Sequence, residues 1–302
     1  MSAVEMIKTA IARIKAAKEK LRTWLTSNGV TVPDGTKLDG MVDMLNDVPV
    51  SVGGADFLEE KLDMGYMFYN GWRDDILDNI LTVCKSVSSM YGVFENNRKR
   101  EEIDMSHIDA TYCAGMYHAF KSCTAKKIFL PKSEKSLVTT LDMAFHSSSV
   151  ESLDFSSIAL PRVAYLNQAF NSSSIKEIIG LNIKLLGLNP ASVDNNSPFP
   201  QGRSGSNKKL ERLTFRTCAD GAAGWKYAID VRYCSFLVSG FVEMVESLQD
   251  INGESDSVKS YAKITITGNP CVTGTLSDGT ACDVLTDADR AIATSKGWTI
   301  VA

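Results

Sequence analysis

Between Val87 and Leu181 one pattern of apolar and polar positions recurs four times. Aligned on a phenylalanine, the units are Met90-Tyr-Gly-Val-Phe94, Met116-Tyr-His-Ala-Phe120, Leu141-Asp-Met-Ala-Phe145 and Leu166-Asn-Gln-Ala-Phe170. The phenylalanines are 26, 25 and 25 residues apart. A Met or Leu stands four residues ahead of each, the spacing of one face of a short helix. The small residue before each phenylalanine (Val93, Ala119, Ala144, Ala169) leaves room for a neighbouring turn of chain. Eight or nine residues later apolar and polar positions alternate at strand period, in Glu102-Ile103-Asp-Met105, Lys127-Ile128-Phe-Leu130, Ser152-Leu153-Asp-Phe155 and Glu177-Ile178-Ile-Gly180. Gly180 stands where the other units place an apolar residue. The pattern predicts a core made of Phe94, Phe120, Phe145 and Phe170 with Ile103, Ile128, Leu153 and Ile178.

A fixed period of this length predicts an α/β solenoid: a parallel strand ladder with one short helix per unit, on the leucine-rich-repeat plan. Residues 57–86 hold a non-repeating, aromatic stretch (Tyr66, Phe68, Tyr69, Trp72) and then a helical pattern, and are expected to cap the N-terminal end. The repeat domain is expected over 87–302. Residues 187–209, rich in Asn, Ser, Pro and Gly, read as an inserted loop. Strand pattern returns at Leu213, Ile229–Val231 and Ala262–Ile266, and a helix is expected through Phe241, Met244, Val245 and Leu248. A capping box at Thr286 and Asp289, a helix ending at Gly297 and a final strand make a C-terminal cap over 285–302.

Residues 1–49 have a different period. Val4, Ile7, Ile11, Ile14, Leu21 and Leu25 recur at alternating three- and four-residue spacings, with Lys18 the one non-apolar seam position. This predicts a coiled-coil-like helix over 2–27. Such a helix either folds onto its own domain or assembles copies of the chain, a trimer being the expected oligomer. Thr36 is placed to cap a second short helix, and 50–56 reads as a linker.

The chain of 302 residues has 44% apolar and 23% charged residues and a net charge of −4. That supports a sizeable core and gives no basic footprint for nucleic acid. No apolar run is long enough to span a bilayer, and no secretory signal opens the sequence, so synthesis in a cytoplasm without export is expected. Seven cysteines without a CxxC pair read as reduced, packed thiols. His107, His118 and His146 occupy different repeat positions, which disfavours a shared metal. No nucleophile elbow or phosphate loop occurs, so neither catalysis nor a cofactor is expected.

The units Met116-Tyr-His-Ala-Phe120-Lys-Ser-Cys123 and Leu141-Asp-Met-Ala-Phe145-His-Ser-Ser148 resemble leucine-rich repeats of the bacterial-surface-protein type. The opening, through Gly29-Val-Thr-Val-Pro-Asp-Gly35, is similar to N-terminal segments of bacteriophage tail and fibre proteins. The ending, Leu285-Thr-Asp-Ala-Asp289 to Gly297-Trp298-Thr-Ile300, looks like the closing coil of such proteins. The resemblance implies a structural virion protein on the tail or another exterior part. Its N-terminal helix would join copies of itself and other virion proteins, and its repeat surface or the 187–209 loop would meet a host glycan or protein. An architectural virion part without a receptor, and an intracellular interaction module, are the alternatives.

Overall fold

The computed structural model describes residues 3–27, 30–37, 41, 61–71, 77–183, 209–216 and 228–302. The chain is α/β, with parallel strands and short helices. The first helix, α1, spans Ala3–Ser27. The strands β1 (Leu62–Asp63) and β2 (Val87–Ser89) flank α2 (Leu77–Val83). Then come β3 (Glu102–Asp104), β4 (Lys127–Phe129), β5 (Ser152–Asp154), β6 (Glu177–Leu181) and β7 (Arg212–Phe215). The C-terminal part holds β8 (Ile229–Asp230), α3 (Val238–Ser247), α4 (Asp256–Tyr261), β9 (Lys263–Thr265), α5 (Pro270–Thr273), α6 (Asp287–Ser295) and β10 (Thr299–Val301).

Among the described residues the strands form three parallel sheets, β1–β2, β3 to β7 and β8 to β10, each in chain order. Register follows the period: Ile103 faces Ile128, Leu153 faces Ile178 and Ile178 faces Leu213. Strands β3, β4 and β5 each bury the middle residue and expose the two flanking it, which is what alternation at period two requires. The pairing of β6 with β7 carries the ladder past residues 184–208, which lie outside the described set together with most of the expected 187–209 loop. Gly180 makes this possible. Its φ is +64°, its N–H bonds Thr214 Oγ1 at 2.9 Å, and the register shifts by one residue so that Leu181, not residue 180, pairs with Phe215. This is a bulge at a residue free to take a left-handed conformation.

The segments around each phenylalanine differ from the expected helices. They are turns, with left-handed residues two before and two after the phenylalanine: Gly92 and Asn96, His118 and Ser122, Met143 and Ser147, Gln168 and Ser172. Inside a coil (one pass of the repeat) the N–H before the phenylalanine bonds the carbonyl three residues back, as Ala119 to Met116. The phenylalanine N–H instead reaches the next coil, with Phe94 to Ala119, Phe120 to Ala144 and Phe145 to Ala169 at 2.7–2.8 Å. From His118 to Cys123 alternate amides therefore close the turn and link the coils instead of forming a helix. A left-handed non-glycine residue costs about 1–2 kcal/mol, and the interlocking hydrogen bonds, each about 0.5–1.5 kcal/mol net, offset it.

The stretch expected to be a non-repeating lead-in contains a further unit. Phe68 stacks on Phe94 at 5.4 Å, Tyr66 and Asn70 are its left-handed residues, and β1 pairs with β2. Five phenylalanine rings thus form one column, with successive centroids 5.4, 5.5, 5.1 and 5.7 Å apart and planes within 14°.

At the C-terminal end α3 buries Phe241, Met244 and Val245, and the Thr286–Asp289 capping box opens α6. Lys296 Nζ donates to the carbonyls of Val245, Glu246 and Leu248, and Trp298 Nε1 donates to Gln249. These contacts satisfy carbonyls that end α3 and seat β10 beside β9.

Candidate functional site

The structure places the predicted positions in two sets. Phe94, Phe120, Phe145 and Phe170 are fully buried in the ring column, and Ile103, Ile128, Leu153 and Ile178 line the inner face of the strands. These residues hold the scaffold and are closed to a partner. On α1, Leu21 and Leu25 are buried in the same apolar cluster as Met41, with Val30 and Val32 packed against it. Arg22 bonds the carbonyls of Val32 and Pro33, which folds the chain back along the helix. This end of the seam is therefore covered by the protein itself. Ile14 is half-buried, while the side chains of Val4, Ile7 and Ile11 lie outside the described set, as does the capping partner expected for Thr36.

Among the described residues three surfaces are open to chemistry. On the outer strand face Phe129 is 46% exposed between Asp104 and Asp154 of the neighbouring strands. A groove of about 490 Å³ lies between the ladder and the C-terminal unit, lined by Glu177, Glu211, Arg212, Leu237, Glu243 and Asp278. Its one arginine is taken: Arg212 forms a two-pronged pair with Glu243, Nε donating to Oε2 at 2.8 Å and Nη2 to Oε1 at 2.5 Å, which raises the guanidinium and lowers the carboxyl pKa.

The third surface is the turn edge of the coils. Glu95 is buried, with carboxylate oxygens 3.4 Å from His118 Nδ1 and 3.4 Å from Lys121 Nζ of the next coil. His118 stacks on Tyr117 at 3.8 Å, and Tyr91 meets Tyr117 edge to face at 6.2 Å. The Tyr91 ring lies on Gly115 of the following coil, where a Cβ would stand 2.3 Å from Cε1. Tyr66 on Gly92 and Tyr233 on Gly268 repeat this device. Burial, then the charges of Glu95 and Asp142, push the Tyr117 hydroxyl up. His146 is pushed down by burial, then by Lys121 and His118. Sequence reasoning missed this edge because its partners come from different coils. A tyrosine three residues before two successive phenylalanines was the signal that pointed to it.

Five of the six described cysteines are packed as expected. Cys84, Cys113, Cys123, Cys234 and Cys271 are buried, and burial raises Cys113 to about 12 and Cys123 to about 11. Among the described residues no group of His, Cys, Asp and Glu is arranged to hold a metal, and no helix is long and apolar enough to cross a membrane.

No family model, curated protein or solved structure matches the chain.

Proposed function

We propose that the chain is a non-enzymatic structural protein of a bacteriophage virion, a tail fibre or tail-associated part. In this reading it presents a leucine-rich-repeat-like solenoid to a host surface. The observation that carries the reading is the combination of stacked phenylalanines and coil-to-coil hydrogen bonds. Together they fix the side chains of successive coils in a rigid, linear array, the kind of surface repeat proteins use for recognition. The amphipathic α1 supplies an element for joining copies and for attachment to other virion proteins. The resemblance of the two ends to phage proteins points the same way.

The burial of Leu21 and Leu25 within the chain favours a second reading. There α1 belongs to the protein's own core, and the chain is an interaction module that does not self-assemble. Light scattering on the full chain and on the chain lacking residues 1–50, together with adsorption of labelled protein to bacterial cells, separates the two. The virion reading expects a trimer or larger for the full chain, a monomer for the shortened one, and saturable adsorption. Monomers in both cases with no adsorption overturn it.

A further inference from the structure

The turn edge carries a second feature beyond the Glu95 cluster. Backbone pairing sets Leu141 beside Tyr165, the Leu141 N–H of coil four donating to the Tyr165 carbonyl of coil five, Thr140 bridges Tyr165 in parallel, and the His118 N–H of coil three donates to the Asp142 carbonyl of coil four. Tyr117, Asp142 and Tyr165 therefore fall on one side of three successive coils. Tyr165 is 56% exposed and Tyr117 38% exposed. At the strand spacing of about 4.8 Å per coil, two coils place the tyrosines about 10 Å apart along the ladder. Asp142 spends one carboxylate oxygen on the Asn167 N–H. The side-chain amides of Asn167 and Gln168 are half-buried on the same edge and make no hydrogen bond among the described residues.

Two exposed phenol rings, a carboxylate with an oxygen to spare and two unengaged planar amides suit a ligand that is apolar on its ring faces and rich in hydroxyls. Rings take up the C–H faces of a sugar, and amides and carboxylates take its hydroxyls in pairs. Charge narrows the class. Lys121 is committed to Glu95, and the Asp142 carboxylate puts negative charge at the centre of the edge, which disfavours an acidic sugar.

We propose that the turn edge of coils three to five, centred on Tyr117, Asp142, Tyr165, Asn167 and Gln168, is a subsite for a neutral oligosaccharide. The inference rests on the attachment reading and names its ligand class and its place. It moves the contact away from the outer strand face, where Phe129 is the exposed ring.

The test uses the full chain on a printed panel of neutral bacterial O-polysaccharides, with sialylated and sulfated oligosaccharides as anionic comparators. The variants are Tyr165→Ala, Asp142→Asn and, as a control on the strand face, Phe129→Ala, each checked for an unchanged thermal melt. Saturable binding of a neutral glycan is expected, weakened about tenfold or more by Tyr165→Ala and by Asp142→Asn and unmoved by Phe129→Ala. No neutral glycan bound, a preference for the anionic comparators, or loss through Phe129→Ala with Tyr165→Ala unaffected overturns the proposal. Adsorption to cells in parallel keeps the two claims apart. Cells bound with a silent panel, or binding lost after protease treatment of the cells, sinks the subsite and leaves attachment standing. Absence of adsorption sinks the attachment reading.

Discussion

Removing one ring from the middle of the phenylalanine column tests what holds the ladder together. Phe120 is fully buried, with Phe94 5.5 Å away on one side and Phe145 5.1 Å away on the other, at 12° and 9° to its plane. Phe120→Ala loses the transfer energy of a buried ring and leaves a cavity, about 3–5 kcal/mol in ordinary cores. Two aromatic pairs, each contributing about 0.5–1.5 kcal/mol beyond burial, place it in the upper part of that range. Phe68→Ala breaks only the stack on Phe94 and should cost less. Against a total stability of about 5–15 kcal/mol the central loss is large. Because each coil touches mainly its neighbours, it should also divide one transition into two, read as a lower slope in urea. The assay is urea unfolding followed by circular dichroism for Phe120→Ala, Phe145→Ala and the double variant. A coupling of about 0.5–1.5 kcal/mol between the two is expected. A cost for Phe120→Ala below about 2 kcal/mol, or additive effects of the pair, would refute the claim that the column is a coupled structural element.

Three further outcomes follow from other contacts. Gly268→Ala, at φ +75° with a Cβ 2.2 Å from Tyr233 Cδ1, should destabilise by about 2 kcal/mol or more in thermal melts, and Tyr233→Ala should relieve the steric part in the double variant. Lys296→Met removes three charge-assisted bonds to the end of α3 and should cost about 1.5–3 kcal/mol, with hydrogen exchange rising first in α3 and α6. Cys113 and Cys123 should resist iodoacetamide at pH 8 in the folded chain while half-exposed Cys282 reacts. The folded thiols hold their protons up to about 11–12, whereas unfolded ones lose them near 9, so the stability they contribute is present below that pH and is lost as pH rises through it. A pH series of urea melts that stays flat from about 8 to 11 would contradict this.

The period, the two inward columns and the strand register were legible because each depends only on apolar residues recurring at fixed spacing. The first coil was hidden by Met67, which fills the slot that Ala or Val occupies elsewhere, although Met64 stands four before Phe68 and Phe68 stands 26 before Phe94. The turns were read as helices because a four-residue spacing fits both. What separates them is the left-handed backbone at His118, Met143 and Gln168, residue types that give no turn signal and adopt it because neighbouring coils supply the hydrogen bonds. The turn-edge cluster was out of reach for the same reason, since Glu95 meets His118 and Lys121 only after the coils have stacked.

The bulge at Gly180 has a wider meaning. Ile178 pairs with Leu213 at an interval of 35 positions where its predecessors pair at 25, and the ladder continues with a single one-residue shift at the bulge. Lengthening a connection by ten residues costs well under 1 kcal/mol of closure entropy, so the longer interval hardly weakens the pairing. The coils then act as a chassis whose strands find their partners across connections of unequal length.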